Sequence, residues 1–135
     1  MITVRPAVPA DSQMVARWCS ERGKPCMPEV IPPIGVIAED EEGPCACVFA
    51  CMTCNIGLVF LEFAATRPLL PLKTGIAAMK ALIPAIEAAC LACNYNVFAC
   101  YARPGFRRLL SKLGWQDGDQ TPKTAMLKIR EIPAS

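Results

Sequence analysis

The chain has 135 residues, of which 53% are hydrophobic and 19% charged; its formal net charge is +2 and it contains no histidine. That length and apolar content suit one domain, residues 1–135, with a sizeable core, and exclude a disordered segment. Charge so near balance gives no electrostatic footprint for nucleic acid, and the local group Arg103, Arg107, Arg108 and Lys112 reads as a solvated helix face.

Residues 2–5 alternate and predict a short strand. Asp11 is placed to cap a helix whose apolar stripe is Met14, Val15 and Trp18, and Gly23 ends it. Pro25, Pro28, Pro32 and Pro33 then exclude regular helix, leaving a stiff loop with room for one helical turn. Residues 35–39 predict a strand and Asp40-Glu41-Glu42-Gly43 a hairpin turn. Residues 45–53 are apolar on both faces, as an interior strand is. Asn55-Ile56-Gly57 turns the chain again, into a strand over 58–65, which completes an antiparallel meander of three strands. A helix then opens at Thr74. Its stripe, Ile76, Met79, Ile83, Ile86, Cys90 and Cys93, runs in steps of three and four, and Pro84 predicts a kink. Asn94-Tyr95-Asn96 ends that helix, and residues 97–101 form a strand. Pro104 opens a further helix through about Leu113, Gly114 stops it, and residues 124–129 close the chain as a strand.

No segment reads as a membrane span, because the longest apolar region, 45–66, is interrupted by Asn55, Gly57 and Glu62. Residues 1–6 lack the basic start and apolar core of a signal peptide, so a cytoplasmic location is expected. The nine cysteines then read as thiols rather than disulfides. Cys51-x-x-Cys54 and Cys90-x-x-Cys93 have the spacing of a zinc site, and a zinc-binding interaction domain is one reading of the chain. Periodicity opposes it. Residues three apart in a strand face opposite ways, and the second pair continues a core stripe, where cysteine serves as a small hydrophobe. No metal is expected.

The strand over 58–65, a Pro-broken loop and Lys73-Thr74-Gly75-Ile76-Ala77 together bring free backbone N–H groups to one helix start, a site for an anion such as phosphate. It is not a Walker loop, since Lys73 precedes the glycine, nor a dinucleotide fingerprint, since one glycine stands alone.

The order of elements, with Ile2-Thr3-Val4-Arg5-Pro6-Ala7 before Asp11, Gly75-Ile76-Ala77 after its strand, and Leu113-Gly114-Trp115 after the last helix, resembles the GNAT N-acetyltransferase superfamily. The resemblance implies an α/β (α+β) acyl-CoA N-acyltransferase fold, with a mixed, mostly antiparallel central sheet flanked by helices. It implies acetyl-CoA as cosubstrate, lying in a gap where the central strand splays from the next. Ala64, Ala65 and Thr66 would face the pantetheine, and Lys73, Thr74, Gly75, Ile76 and Ala77 the pyrophosphate. Direct transfer to a small-molecule or peptide amine is the implied activity. The chain departs from the family at Leu72, where Arg or Gln is usual, at Leu110, where a tyrosine protonates the departing thiolate, and at Gly105, where asparagine is frequent. These departures support an alternative, a GNAT-shaped binding or assembly module without catalysis. Family relatives often dimerise, and an apolar sheet edge is the surface a homodimer would use.

Acyl transfer needs a base and an oxyanion donor. Without histidine, Glu62, the one acid in residues 58–65, is the candidate base. Tyr101 is the candidate acid in place of the missing tyrosine, and a main-chain N–H at Ala64 or Ala65 the oxyanion donor. Cys100 as a nucleophile would lack a histidine to activate it.

Overall fold

The computed structural model describes residues 1–54, 57–119 and 124–131. In chain order they form β1 (Thr3–Pro6), α1 (Ser12–Glu21), β2 (Ile34–Asp40), β3 (Gly43–Met52), β4 (Leu58–Thr66), α2 (Leu72–Leu91), β5 (Val97–Ala102), α3 (Pro104–Lys112), β6 (Gln116–Asp119) and β7 (Thr124–Ile129). Single 3-10 turns occupy Pro9–Asp11 and Pro28–Val30, the second of them inside the proline-rich loop. Seven strands make one sheet in the order β1-β2-β3-β4-β5-β7-β6. The β4–β5 pair is parallel and every other pair antiparallel. The expected meander is β2-β3-β4, turning at Glu41-Glu42 before Gly43, whose φ of 111° suits glycine. The turn expected at Asn55-Ile56-Gly57 lies partly outside the described residues, since 55 and 56 are not among them; Gly57 has φ 69°. Strand β6 has no counterpart in the sequence pattern, because Gln-Asp-Gly-Asp has no apolar alternation.

Each face of the sheet carries its own core. The α2 and α3 face buries Val48, Val59, Leu61, Leu82, Ile86, Phe98 and Leu110 among others. The α1 face buries Val15, Trp18, Ile37, Cys47, Phe49 and Ala65. The register explains the split. In β3 Val48 and Ala50 serve the α2 face and Cys47 and Phe49 the α1 face; their β4 partners follow, Leu61 opposite Ala50 and, past an irregularity in the register, Ala65 opposite Cys47.

Helix α2 starts at Leu72, two residues before the expected Thr74, with Pro71 as its N-cap. Its buried side is Ala78, Met79, Leu82, Ile83, Ile86, Glu87, Cys90 and Leu91. Ile76 and Cys93, expected on that stripe, are both exposed. Ile76 precedes the stretch that meets the sheet, and Cys93 follows the last helical residue. The helix continues through Pro84, which sits on its exposed side. By length and composition α2 could cross a bilayer, with mean hydropathy 1.5, although here it is a core helix packed on β2 and β3. Its buried Glu87 is satisfied: Lys128 Nζ lies at 2.9 Å and Trp115 Nε1 donates at 3.1 Å.

Asp11 occupies the N-cap position of α1, but its side chain does not cap the helix. The carboxylate accepts two 2.9 Å bonds from Arg5 and one of 2.8 Å from the Val8 N–H. A bidentate guanidinium is a stronger partner than a helix amide, so β1 captures the residue expected to serve α1. At the other end, Gly23 at φ 74° closes the helix as expected. Its N–H donates to Ser20 O and the Lys24 N–H to Cys19 O, the paired bonds of a Schellman turn.

Candidate active site

The site begins with an irregularity in β4. Cys47 opposes Ala65 and Phe49 opposes Glu62, so two residues, Phe63 and Ala64, face Val48 alone. This is a β-bulge, and Phe63 adopts φ 55° to make it. The Cys47 thiol donates to the Phe63 carbonyl at 3.3 Å; burial pushes that thiol up to about 12, so it keeps its proton. Beside the bulge β4 parts from β5. Their pairing ends at Phe60–Ala99, while β4 runs on to Thr66 and β5 to Ala102. A parallel pair that separates halfway leaves main-chain donors and acceptors on both lips of the gap.

The loop after β4 is pinned. The Arg67 N–H donates to Cys45 O at 2.8 Å, and its guanidinium reaches Asp40 at 2.8 Å and Glu42 at 3.0 Å. This anchor delivers the chain to the start of α2. Because α2 opens at Leu72, the Gly75 N–H is already engaged, donating to Pro71 O at 3.0 Å. The amides without an intrahelical acceptor are those of Leu72, Lys73 and Thr74. Thr66, Leu72, Gly75 and Ile76 line a cavity of about 500 Å³ between this helix start and α3. Among the described residues four cations, Arg22, Lys80, Arg108 and Lys112, border it, and no carboxylate does. Helix dipole, free amides and these cations all favour one kind of guest, a polyanion. Arg108 and Lys112, which in the sequence read as a solvated face of α3, here turn toward α2. That orientation depends on how the two helices pack, and the sequence carries no sign of Arg22 or Lys80 at this site.

A second cavity, about 380 Å³, is walled by Glu62, Phe63, Ala64 and Ala65 of the bulge, by the segment after α1 and by Arg103. The two cavities share one wall residue, Arg22, which donates to Thr66 Oγ1. Of the predicted site residues, Glu62, Ala64 and Ala65 border the smaller cavity, and Thr66, Gly75 and Ile76 the larger. Lys73 and Ala77 are exposed and Thr74 half-buried on the first turns of α2, outside both linings. Glu62 is exposed and makes no ion pair among the described residues. Tyr101 lies two residues beyond the last β4–β5 pair, as Glu62 does on the opposite lip. Its ring is 59% exposed and stacks on Phe60 with centroids 6.3 Å apart; it lines neither cavity. At the family's departures, Leu110 is fully buried in the core, and Gly105 borders the larger cavity with open space where a Cβ would stand.

Two buried thiols near the site keep their protons. Burial pushes Cys19 up to about 11 and Cys100 up to about 12, with the Glu62 charge adding to the latter. Neither supplies a thiolate at neutral pH. Cys51 is half-buried and Cys54 exposed, Cys90 buried and Cys93 exposed; among the described residues no three His, Cys, Asp or Glu side chains converge on a point.

No protein-family model matches the sequence, and no curated protein is detectably similar to it in sequence. Solved structures are similar in fold. A Mycobacterium tuberculosis protein solved with CoA superposes with a TM-score of 0.76 at 10% identity, covering 96% of this chain and 99% of that one. The Ard1 protein of Thermoplasma volcanium gives 0.74 at 14% identity, covering 95% and 97%. A GNAT-superfamily phosphinothricin acetyltransferase from Sinorhizobium meliloti, solved with acetyl-CoA, gives 0.73 at 19%, covering 93% and 86%. The parting strands, the bulge and the helix start beside them are thus set in the GNAT acyl-CoA N-acyltransferase fold.

Proposed function

We propose that this chain binds acetyl-CoA across the two cavities that share Arg22 and transfers the acetyl group to an amine. The supporting observation is the gap itself. β4 and β5 part after Phe60–Ala99, and the end of the parted β4, at Thr66, lines the cavity at the start of α2 with its four cations. In this reading the pyrophosphate rests on the Leu72, Lys73 and Thr74 amides. Gly75 allows close approach, the Lys73 ammonium adds charge, and Ile76 and Ala77 complete the cradle. The pantetheine pairs with main-chain groups of Ala64, Ala65 and Thr66 in place of the missing β5.

Glu62 takes a proton from the acceptor ammonium, directly or through one water. The freed nitrogen attacks the thioester carbonyl and a C–N bond forms. A main-chain N–H at Ala64 or Ala65 donates to the oxyanion. Collapse breaks the C–S bond, the thiolate leaves with a proton from Tyr101, which stands on the opposite lip, and the nitrogen gives up its remaining surplus proton, which restores the Tyr101 phenol through water. A second reading, binding without turnover, is favoured by Leu110: the side chain at the family's acid position is buried in the core and cannot reach a thiolate.

Calorimetry with acetyl-CoA, followed by turnover on an amine panel, tests both readings. Binding with turnover, and a loss of roughly 10²-fold or more in kcat for Glu62→Gln, is the expected result. Absence of binding at millimolar acetyl-CoA would sink the proposal. Binding without turnover on any amine would select the second reading.

A further inference from the structure

We infer that the acceptor amine carries a carboxylate, as an amino acid does; this rests on the acyl-transfer reading and extends it to the substrate class. The carrying observation is the charge left unpaired in the smaller cavity. Three cations, Arg22, Lys24 and Arg103, share its wall with one carboxylate, Glu62. Elsewhere Arg5, Arg67, Arg107, Lys128 and Arg130 each reach an acidic side chain, while Arg17, Lys73, Lys80, Arg108 and Lys112 reach none among the described residues. Lys24 and Arg103 reach none among the described residues. Arg22 is engaged with Thr66 and borders the larger cavity, which assigns it to the phosphate side. Lys24 and Arg103 border the smaller cavity alone.

Both side chains are exposed, and it is their backbones that are anchored. Lys24 comes directly after the αL residue Gly23, its N–H donates to Cys19 O at 3.0 Å, and Pro25 stiffens the chain on its other side. Arg103 is the N-cap of α3, extended at φ −73° and ψ 163°, and its carbonyl accepts from the Arg107 N–H at 2.8 Å. Two cations bordering the same cavity as Glu62 repel an acceptor that brings only positive charge. An acceptor with an ammonium for Glu62 and a carboxylate for Lys24 and Arg103 satisfies all three groups. The same arrangement selects against polyamines and lysine-rich peptides.

The test pairs glycine with glycinamide and L-glutamate with its diamide, and adds spermidine as a purely basic amine. CoA release is read by chromatography, because nine free cysteines consume thiol reagents. The expected result is a kcat/KM about tenfold or more higher for each acid than for its amide. Lys24→Ala with Arg103→Ala is expected to bring the pair to near parity, chiefly through KM, in protein that still binds acetyl-CoA. Lys24→Arg retains the charge and is expected to keep the preference. Equal turnover of acid and amide, or a preference for spermidine, overturns the inference and leaves acyl transfer standing. Acetyl-CoA binding with turnover of no amine overturns it in favour of the binding module. Absence of acetyl-CoA binding removes the reading beneath it.

Discussion

Gly75→Ala separates what the fold needs at the start of α2 from what a ligand needs there. Gly75 is the fourth residue of a regular helix, and its φ is not in the left-handed region. A Cβ built on it meets only Leu70 Cδ2 and Thr66 Cγ2, both at 3.8 Å, which is ordinary contact. Nothing in the protein therefore demands glycine. Replacing it restores helix propensity worth about 0.5–1 kcal/mol. For a chain of this size that raises Tm by roughly 2–5 °C. The added methyl, however, enters the cavity that Gly75 lines. If pyrophosphate lies against this turn, the methyl holds it away from the Leu72, Lys73 and Thr74 amides. A loss of about 1.4 kcal/mol, tenfold in affinity, is the expected scale. Thermal melts with and without CoA, and calorimetry with CoA, read both effects. A more stable variant that binds CoA as well as the parent refutes the placement of the pyrophosphate. A less stable variant refutes the account of the backbone.

Three other substitutions probe the same geometry. Glu87→Ala leaves Lys128 and Trp115 Nε1 without their buried acceptor, so denaturant unfolding is expected to show a loss of about 3–5 kcal/mol, and less for Glu87→Gln; a change under about 0.5 kcal/mol would contradict the network, on the order-of-magnitude scale of such pairs. Arg5, chiefly through its hydrogen bonds, holds the Asp11 carboxyl below the usual carboxylate range. A depressed carboxyl stabilises the fold above its unfolded pKa of about 4 and loses that contribution as pH falls through its folded value. Asp11→Asn should therefore flatten the fall of Tm below about pH 4, and an unchanged acid limb would count against it. Arg108→Ala with Lys112→Ala is expected to weaken CoA binding about five- to thirtyfold at low salt and to reduce its salt dependence. An unaltered salt dependence would move the phosphates elsewhere.

Local signals placed most elements well. Gly23 and Gly114 marked two helix ends because each takes a positive φ that other residues avoid. Pro104 marked a helix start, and the meander from 35 to 65 followed from apolar runs separated by turn residues. The misses share one cause. Asp11 has the sequence context of a cap, but β1 brings Arg5 alongside it. Ile76 fits a core stripe, yet it lies where α2 has not reached the sheet. The bulge at Phe63 leaves no trace in the sequence, because an apolar strand with one extra residue reads like one without it.

The same division holds for the site. The apolar periodicities and the breakers specified every strand and α-helix except β6, and their order, since these depend on near neighbours in the chain. The parting of β4 from β5, the sharing of Arg22 by two cavities, and the gathering of Lys24 and Arg103 on one wall with Glu62 were decided by tertiary structure alone. These groups lie tens of residues apart, and electrostatic fields add in space without regard to sequence separation. Near-neutral net charge thus concealed a groove that is strongly positive where it counts.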